Sequence, residues 1–317
     1  MKRLGNLQSL TLFLPITAFL EVNDHLMRKL DLSPLRRFKR LKSLDIAVVD
    51  VPDAFRRGIS EQLTFDPKKF FPNLKHFKCG ALYNHPTFSK GLELYATEIA
   101  SCLLLEGFGL RFKQNSELTD QEIQRATQCL ASLKSDLTHL SMMFCYGKLT
   151  SSGTNALIAA LSSPRLRNMQ TLSLEFIGCR RTGNGFVAKL CGTIGQNMKD
   201  LKALRLRFER ARSYTGPFLE ILLATVGYEG LTDRGINNLG EALLKECRNL
   251  EFVWLEFGEY SQVSDQGVMS LCKSLLKIES LKKVWLKFRL CSEVSEMAEQ
   301  YARENLGEKK EVKFTRR

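Results

Sequence analysis

Only two tryptophans occur in this 317-residue chain, Trp254 and Trp285. Both stand in the pattern Val-Trp-Leu-x-Phe, within EFVWLEF (251–257) and KKVWLKF (282–288). An indole offers a large apolar face, an attraction for cations and one N–H donor, which is the chemistry of binding rather than of bond making. The residues that make and break bonds are sparse. Four histidines are present, His25, His76, His85 and His139. The nine cysteines are scattered and form no Cys-x-x-Cys, so no zinc site is expected. RTGNGF (181–186) lacks the Lys-Ser/Thr that a phosphate-binding loop uses, and neither Gly-x-Ser-x-Gly nor His-Glu-x-x-His occurs. The expectation is a protein that is not an enzyme and needs neither cofactor nor metal.

The elements that position the tryptophans are repeats. MQTLSLEF (169–176), LKALRLRF (201–208), LTHLSMMF (137–144) and LEGFGLRF (105–112) share the pattern, with weaker copies at 7–14, 41–48 and 74–81 and a stub, VKF, at 312–314. The copies recur about every 32 residues, and the step from Leu204 to Val253 is about 17 residues longer. An insertion is therefore expected within 209–229, with 216–226 reading as a short apolar helix after Thr215 and Pro217. Between the copies the period becomes helical. LTDQEIQRATQCLASL (118–133) puts Ile123, Ala126, Leu130 and Leu133 on one face, and 231–247 and 263–278 behave alike. Thr119 with Glu122 fits a capping box, and Thr232 and Ser264 fit N-caps. Each unit reads as a strand, a loop and a crossover helix, which consecutive parallel strands require.

The sequence resembles the leucine-rich repeat family, in its ribonuclease-inhibitor-like α/β form. Leu-x-x-Leu-x-Leu followed by Leu-Thr-Asp-x-Gly carries the likeness, at 231–235 and, as VSDQG, at 263–267. The resemblance implies an α/β right-handed solenoid, a horseshoe of nine to ten units over 1–317 as a single domain. Its parallel sheet would line the concave face and its helices the convex one. Two features depart from the family pattern. The units are longer, and the buried Asn after the strand is missing. Instead Phe112, Phe144, Phe176, Phe208, Phe257 and Phe288 recur at the strand end and are expected to stack inside.

Alternation along a strand sends the leucines inward and the residues between them outward. One outward column is then Thr11, Asp45, Lys78, Gly109, Ser141, Ser173, Arg205, Trp254, Trp285 and Lys313. Phe252, Trp254 and Trp285 form an exposed aromatic cluster, ringed by Arg205, Arg207, Lys283, Lys287 and Arg289, with Glu256 inside. Trp and Arg dominate protein-binding hot spots, so these eight aromatic and basic residues are the expected partner site. His76 and His139 fall two strands apart. At about 4.8 Å per strand they are expected to lie roughly 10 Å from each other, too far for a shared ligand.

A net charge of +13, from 47 basic and 34 acidic residues, favours an acidic partner. It disfavours the basic ligand of the ribonuclease inhibitor and a Ran-GTPase-activator role. The expected partner is a protein segment with acidic and apolar residues, held on the concave face. The alternatives are single-stranded nucleic acid stacked on the aromatics, or a substrate-recognition or structural subunit of a larger assembly, as in F-box leucine-rich-repeat proteins. No apolar run reaches the length of a membrane span. The basic, apolar start faintly resembles a signal peptide, but Leu4, Leu7, Leu10 and Leu12 keep the repeat register and no cleavage site follows. A cytoplasmic, reducing location is expected. The chain opens on a repeat strand without a polar capping unit, so the expectation is either a fragment of a longer protein or another element that covers that end.

Overall fold

The computed structural model of the chain describes residues 7–15, 40–49, 73–81, 104–112, 119–145, 149–179, 182–210, 230–260, 262–307 and 310–316. Ten strands form one sheet: β1 (Ser9–Pro15), β2 (Ser43–Val49), β3 (His76–Ala81), β4 (Gly107–Phe112), β5 (His139–Cys145), β6 (Thr171–Ile177), β7 (Ala203–Glu209), β8 (Phe252–Gly258), β9 (Lys283–Arg289) and β10 (Glu311–Thr315). They lie in sequence order and every neighbouring pair is parallel, a solenoid-like α/β arrangement. Described helices are α1 (Asp120–Ser132), α2 (Ser151–Leu161), α3 (Asn184–Asn197), α4 (Asp233–Glu246), α5 (Asp265–Leu276) and α6 (Glu296–Gly307). Of the segment 209–229, where the insertion is expected, residues 211–229 lie outside the described residues, and with them the expected helix at 216–226. Among the described residues, no helix is long and apolar enough to cross a membrane.

The core lies between sheet and helices, because strand alternation and helix period aim their apolar residues at each other. Leu172, Leu174, Leu204, Leu206, Val253 and Leu255 from the strands and Val187, Leu190, Ile236, Leu239 and Leu271 from the helices are fully buried in one cluster. At the strand ends the phenylalanines stack. Phe144–Phe176, Phe176–Phe208, Phe208–Phe257 and Phe257–Phe288 have ring centroids 5.6, 5.5, 6.1 and 5.3 Å apart, and Phe314 extends the stack at 5.5 Å. The side chain of Phe112 lies outside the described residues. Each stacked pair adds about 0.5–1.5 kcal/mol to simple burial, so the stack ties successive strands together.

The Thr-Asp-x-Gly helix start has a physical cause. Asp233 accepts hydrogen bonds from the Ser264 backbone N–H (2.8 Å) and hydroxyl (2.6 Å), one helix further on. Asp120 does the same for Thr150, Asp265 for Ser295, and Asn184 stands in for Asp toward Thr232. The glycine makes room for this contact. A Cβ on Gly153, Gly235 or Gly267 would come within 2.3, 2.2 and 2.2 Å of the preceding Asp120, Asn184 or Asp233 oxygen. Ser264 caps its own helix through the Gln266 N–H, as expected. Thr232 does not: its hydroxyl accepts from Asn184 instead, so the stitch between units takes precedence over the cap. The Glu122 side chain, the second half of the expected capping box, lies outside the described residues.

In place of the missing Asn, thiols reach the neighbouring unit. Cys179 donates to the Phe144 carbonyl at 3.5 Å and Cys291 to the Phe257 carbonyl at 3.7 Å. Six described cysteines are buried and form no disulfide. Burial raises the pKa of Cys191 far above the usual thiol value, that of Cys272 to about 12 and that of Cys247 to about 11, so these three are inert as nucleophiles.

Candidate functional site

Strand register brings the expected aromatic residues together. Trp254 pairs with Trp285, Arg205 with Trp254, and Trp285 with Lys313. The two indoles meet edge to face at 5.3 Å, and Phe252 meets Trp285 the same way at 5.2 Å. The Arg205 guanidinium lies 3.7 Å above the Trp254 ring and the Lys313 ammonium 4.3 Å above Trp285. The result is a row of cation, indole, indole and cation across β7–β10.

Two expectations about this row are corrected. The aromatic residues are half-buried, not exposed, because the long basic stems lie flat along the rings and the rings lean on one another. The surrounding cations are not a free basic rim. Glu175 and Glu256, which point to the same face, are only 5% and 2% exposed. Arg205 pairs with Glu175 at 3.1 Å, Lys287 with Glu256 at 3.2 Å, and Arg289 with Glu209 at 3.6 Å and Glu256 at 3.9 Å. Arg207 sits among all three carboxylates, at 3.5 Å from Glu175 and Glu256 and hydrogen-bonded to Glu209. Burial opposes the charge on Arg207, yet the Glu209 hydrogen bond and the carboxylates outweigh it and hold its pKa above the usual value. Lys283, at the edge of the cluster, pairs with Glu311 at 2.8 Å. The buried carboxylates are what keep so many cations side by side.

The opposite end of the same face holds what sequence reasoning missed. His76 and His139 are not 10 Å apart: their rings meet edge to face with centroids 5.7 Å apart. The strand between them carries Gly107 at the paired position, and with no side chain there the two imidazoles close over the gap. A Cβ on Gly107 would lie 2.3 Å from His76 Nδ1. The stem of Lys78 likewise crosses Gly109, whose Cβ would lie 2.6 Å from Lys78 Cγ. The signal was present in LEGFGLRF, since alternate glycines in a strand mark a close approach. His139 also contacts the Thr138 hydroxyl through Nδ1 at 2.7 Å. Although His139 is an exposed residue, partial burial of its ring lowers its pKa most, followed by the neighbouring His76 and against the pull of Glu106.

Between the two ends runs a trough of about 760 Å³. Gly107, Ser141, Ser173 and Ala203 floor it, His76 and Lys78 stand at one end, and Phe252 and Trp254 stand at the other. Its size falls in the range of specific ligand sites. Among the described residues, no group of three or more His, Cys, Asp or Glu is arranged to hold a metal ion.

The class defined by this geometry is a solenoid-like α/β protein with a ten-stranded parallel sheet among its described residues. No protein-family model and no curated protein matches the sequence. Among solved structures, a chain from the crystal structure of the Rad7 and Elc1 complex in yeast is similar in fold, with a TM-score of 0.51 and 17% identity. The match covers 89% of this chain and 59% of that one, so this chain spans about three-fifths of the solved chain. A Bacteroides fragilis protein matches at a TM-score of 0.45 and 13% identity, over 90% of this chain and 76% of its own.

Proposed function

We propose that the protein is a leucine-rich-repeat solenoid of the ribonuclease-inhibitor-like type, serving without catalysis as a protein-binding subunit of a larger assembly. Its partner is a protein segment with acidic and apolar residues, lying on the concave face. The observation that carries this reading is the Arg205–Trp254–Trp285–Lys313 row at one end of an open trough. Half-buried indoles held in place by cations lose little conformational freedom when a partner covers them, and Trp and Arg are the commonest hot-spot residues. The likeness to a chain crystallised in the Rad7–Elc1 complex supports an assembly role. Buried cysteines outside any disulfide fit a reducing, cytoplasmic setting. The pairing of Arg205, Arg207, Lys287 and Arg289 with carboxylates of the same face disfavours nucleic acid, since it leaves less cationic charge for phosphates.

The test is co-purification from native lysate with the wild-type protein and with Trp254→Ala/Trp285→Ala, with and without nuclease. Protein partners retained by the wild type after nuclease, and weakened more than about tenfold by the double substitution, support the reading. Loss of all binding on nuclease treatment transfers it to nucleic acid.

A further inference from the structure

The trough has a second charged end whose chemistry differs from the tryptophan row. In the tryptophan region Arg205, Arg207, Lys287 and Arg289 are each committed to a carboxylate of the same sheet. At β3–β5 the balance is different. Lys75 holds Glu106 at 2.5 Å and Arg111 holds Asp45 at 2.5 Å. That leaves His76, His139 and Lys78 facing the trough, and no carboxylate among the described residues is ion-paired with Lys78. Three groups that can bear positive charge converge over two glycines, with open trough beside them.

We propose that His76, His139 and Lys78 form a carboxylate-binding pole, which holds an acidic side chain of the same partner segment whose apolar side chain docks against Phe252 and Trp254. This deepens the protein-binding reading above and rests on it. The spacing follows from the sheet. From β4, over which the imidazoles close, to β8 is four strand steps, about 19 Å at about 4.8 Å each. An extended chain advances about 3.3 Å per residue, so the acid and the apolar anchor are separated by about five to six residues. The small floor residues Ser141, Ser173 and Ala203 leave room for the backbone between them. A bound carboxylate favours protonated imidazole, so binding tightens as pH falls through the imidazole range while the carboxylate stays ionised. The other charged groups around the pole are Lys75 and Glu106 beside it, Asp45 in register with Lys78 on the neighbouring strand, and Arg111, which lines the trough and holds Asp45; the two acids remain neutralised by their own partners.

The probe is a set of fluorescein-labelled synthetic peptides, Glu-(Gly-Ser spacer)-Trp, with two to nine intervening residues and in both chain directions. Binding is read by polarisation at about pH 5.5 and about pH 7.5. The expected optimum is about five intervening residues, with several-fold tighter binding at the lower pH. His76→Gln/His139→Gln/Lys78→Gln should abolish the pH dependence and the preference for Glu over Gln in the peptide. Gly107→Ala, which pushes His76 away, should reduce both while leaving the far end intact. Circular dichroism confirms that each variant is folded. If Trp254→Ala weakens the peptides but the triple variant does not, the carboxylate pole is wrong and the protein-binding reading stands. Peptides that bind with no dependence on spacing or on the Glu also overturn the pole. If no peptide binds, imidazole NMR shifts of His76 and His139 are titrated with glutarate. Shifts saturating in the wild type and absent in Gly107→Ala keep the pole, and no shift in the wild type removes it.

Discussion

At β3–β5 the outward positions of the sheet are partly emptied by Gly107 and Gly109, and neighbouring side chains fall together over the gaps. At β7–β10 those positions are filled by Arg205, Trp254, Trp285 and Lys313, which lie flat against one another over a layer of buried carboxylates. The same backbone geometry runs through both regions. The difference teaches that side-chain volume decides which groups interact: an absent Cβ lets residues two strands apart touch, as Gly107 does for His76 and His139 and Gly258 for Glu209 and Arg289, while the filled Arg205–Trp254–Trp285–Lys313 row meets only its immediate neighbours. Charge follows the same division. The crowded end could hold four cations only by burying Glu175 and Glu256 among them, since like charges in a partly desolvated layer repel strongly. The emptied end joins its ion pairs one to one, Lys75 with Glu106 and Arg111 with Asp45, and leaves Lys78 and the imidazoles to the trough.

The largest effect that separates the two ends is on stability. Glu256→Ala removes the buried acceptor shared by Arg207, Lys287 and Arg289, and leaves charge uncompensated. The expected loss is about 3 kcal/mol or more in urea unfolding. Glu106→Gln, which breaks a half-exposed pair with Lys75, should change stability by about 0–1 kcal/mol. Equal losses would erase the contrast in burial.

Trp254→Ala/Trp285→Ala comes next. The rings are half-buried and stacked on cations, so unfolding should become easier by about 1–2 kcal/mol, well below the loss for a fully buried aromatic residue. Cooperative unfolding with a native far-ultraviolet spectrum is expected. A loss as large as that of Phe257→Ala, about 3–5 kcal/mol, would make the tryptophans part of the core.

Gly107→Ala should leave stability within about 1 kcal/mol, because alanine loses less backbone freedom on folding than glycine and the His76 ring that covers the position can rotate aside. Its signature is local: the NMR contact between the His76 and His139 rings should disappear. A contact that persists would mean that the empty glycine position is not what joins them.

The smallest expected effect is on pH dependence. His139 has its pKa lowered below the usual 6.5 in the folded protein, so the unfolded chain binds that proton more tightly. Its stabilising contribution is present above about pH 6.5 and is lost as pH falls through the lowered folded value. His139→Gln should therefore flatten the fall in stability between about pH 7 and pH 5, measured against wild type so that Glu106, also lowered by its Lys75 hydrogen bond, cancels. An unchanged slope would remove His139 from this balance.

Much of the architecture was legible in the residues. Alternation around Leu172, Leu204 and Val253 sets which side chains face inward, and parallel register then places Arg205, Trp254, Trp285 and Lys313 in one row without further information. The Thr-Asp-x-Gly helix starts could be recognised, but not the reason for them. An oxygen of Asp233 reaching Ser264, and Gly267 yielding space to it, are contacts between units that no single repeat contains. Side-chain reach was the larger omission. Sequence alone placed His76 and His139 by strand spacing, but tertiary structure let their rings lean over Gly107 and halve the gap. Sequence also placed Glu256 inside the ring of Arg205, Arg207 and Lys287, but not which charges pair or how deeply. Only folding showed Glu175 and Glu256 sunk among them, because desolvation and pairing depend on what surrounds a group in space, not on its place in a repeat.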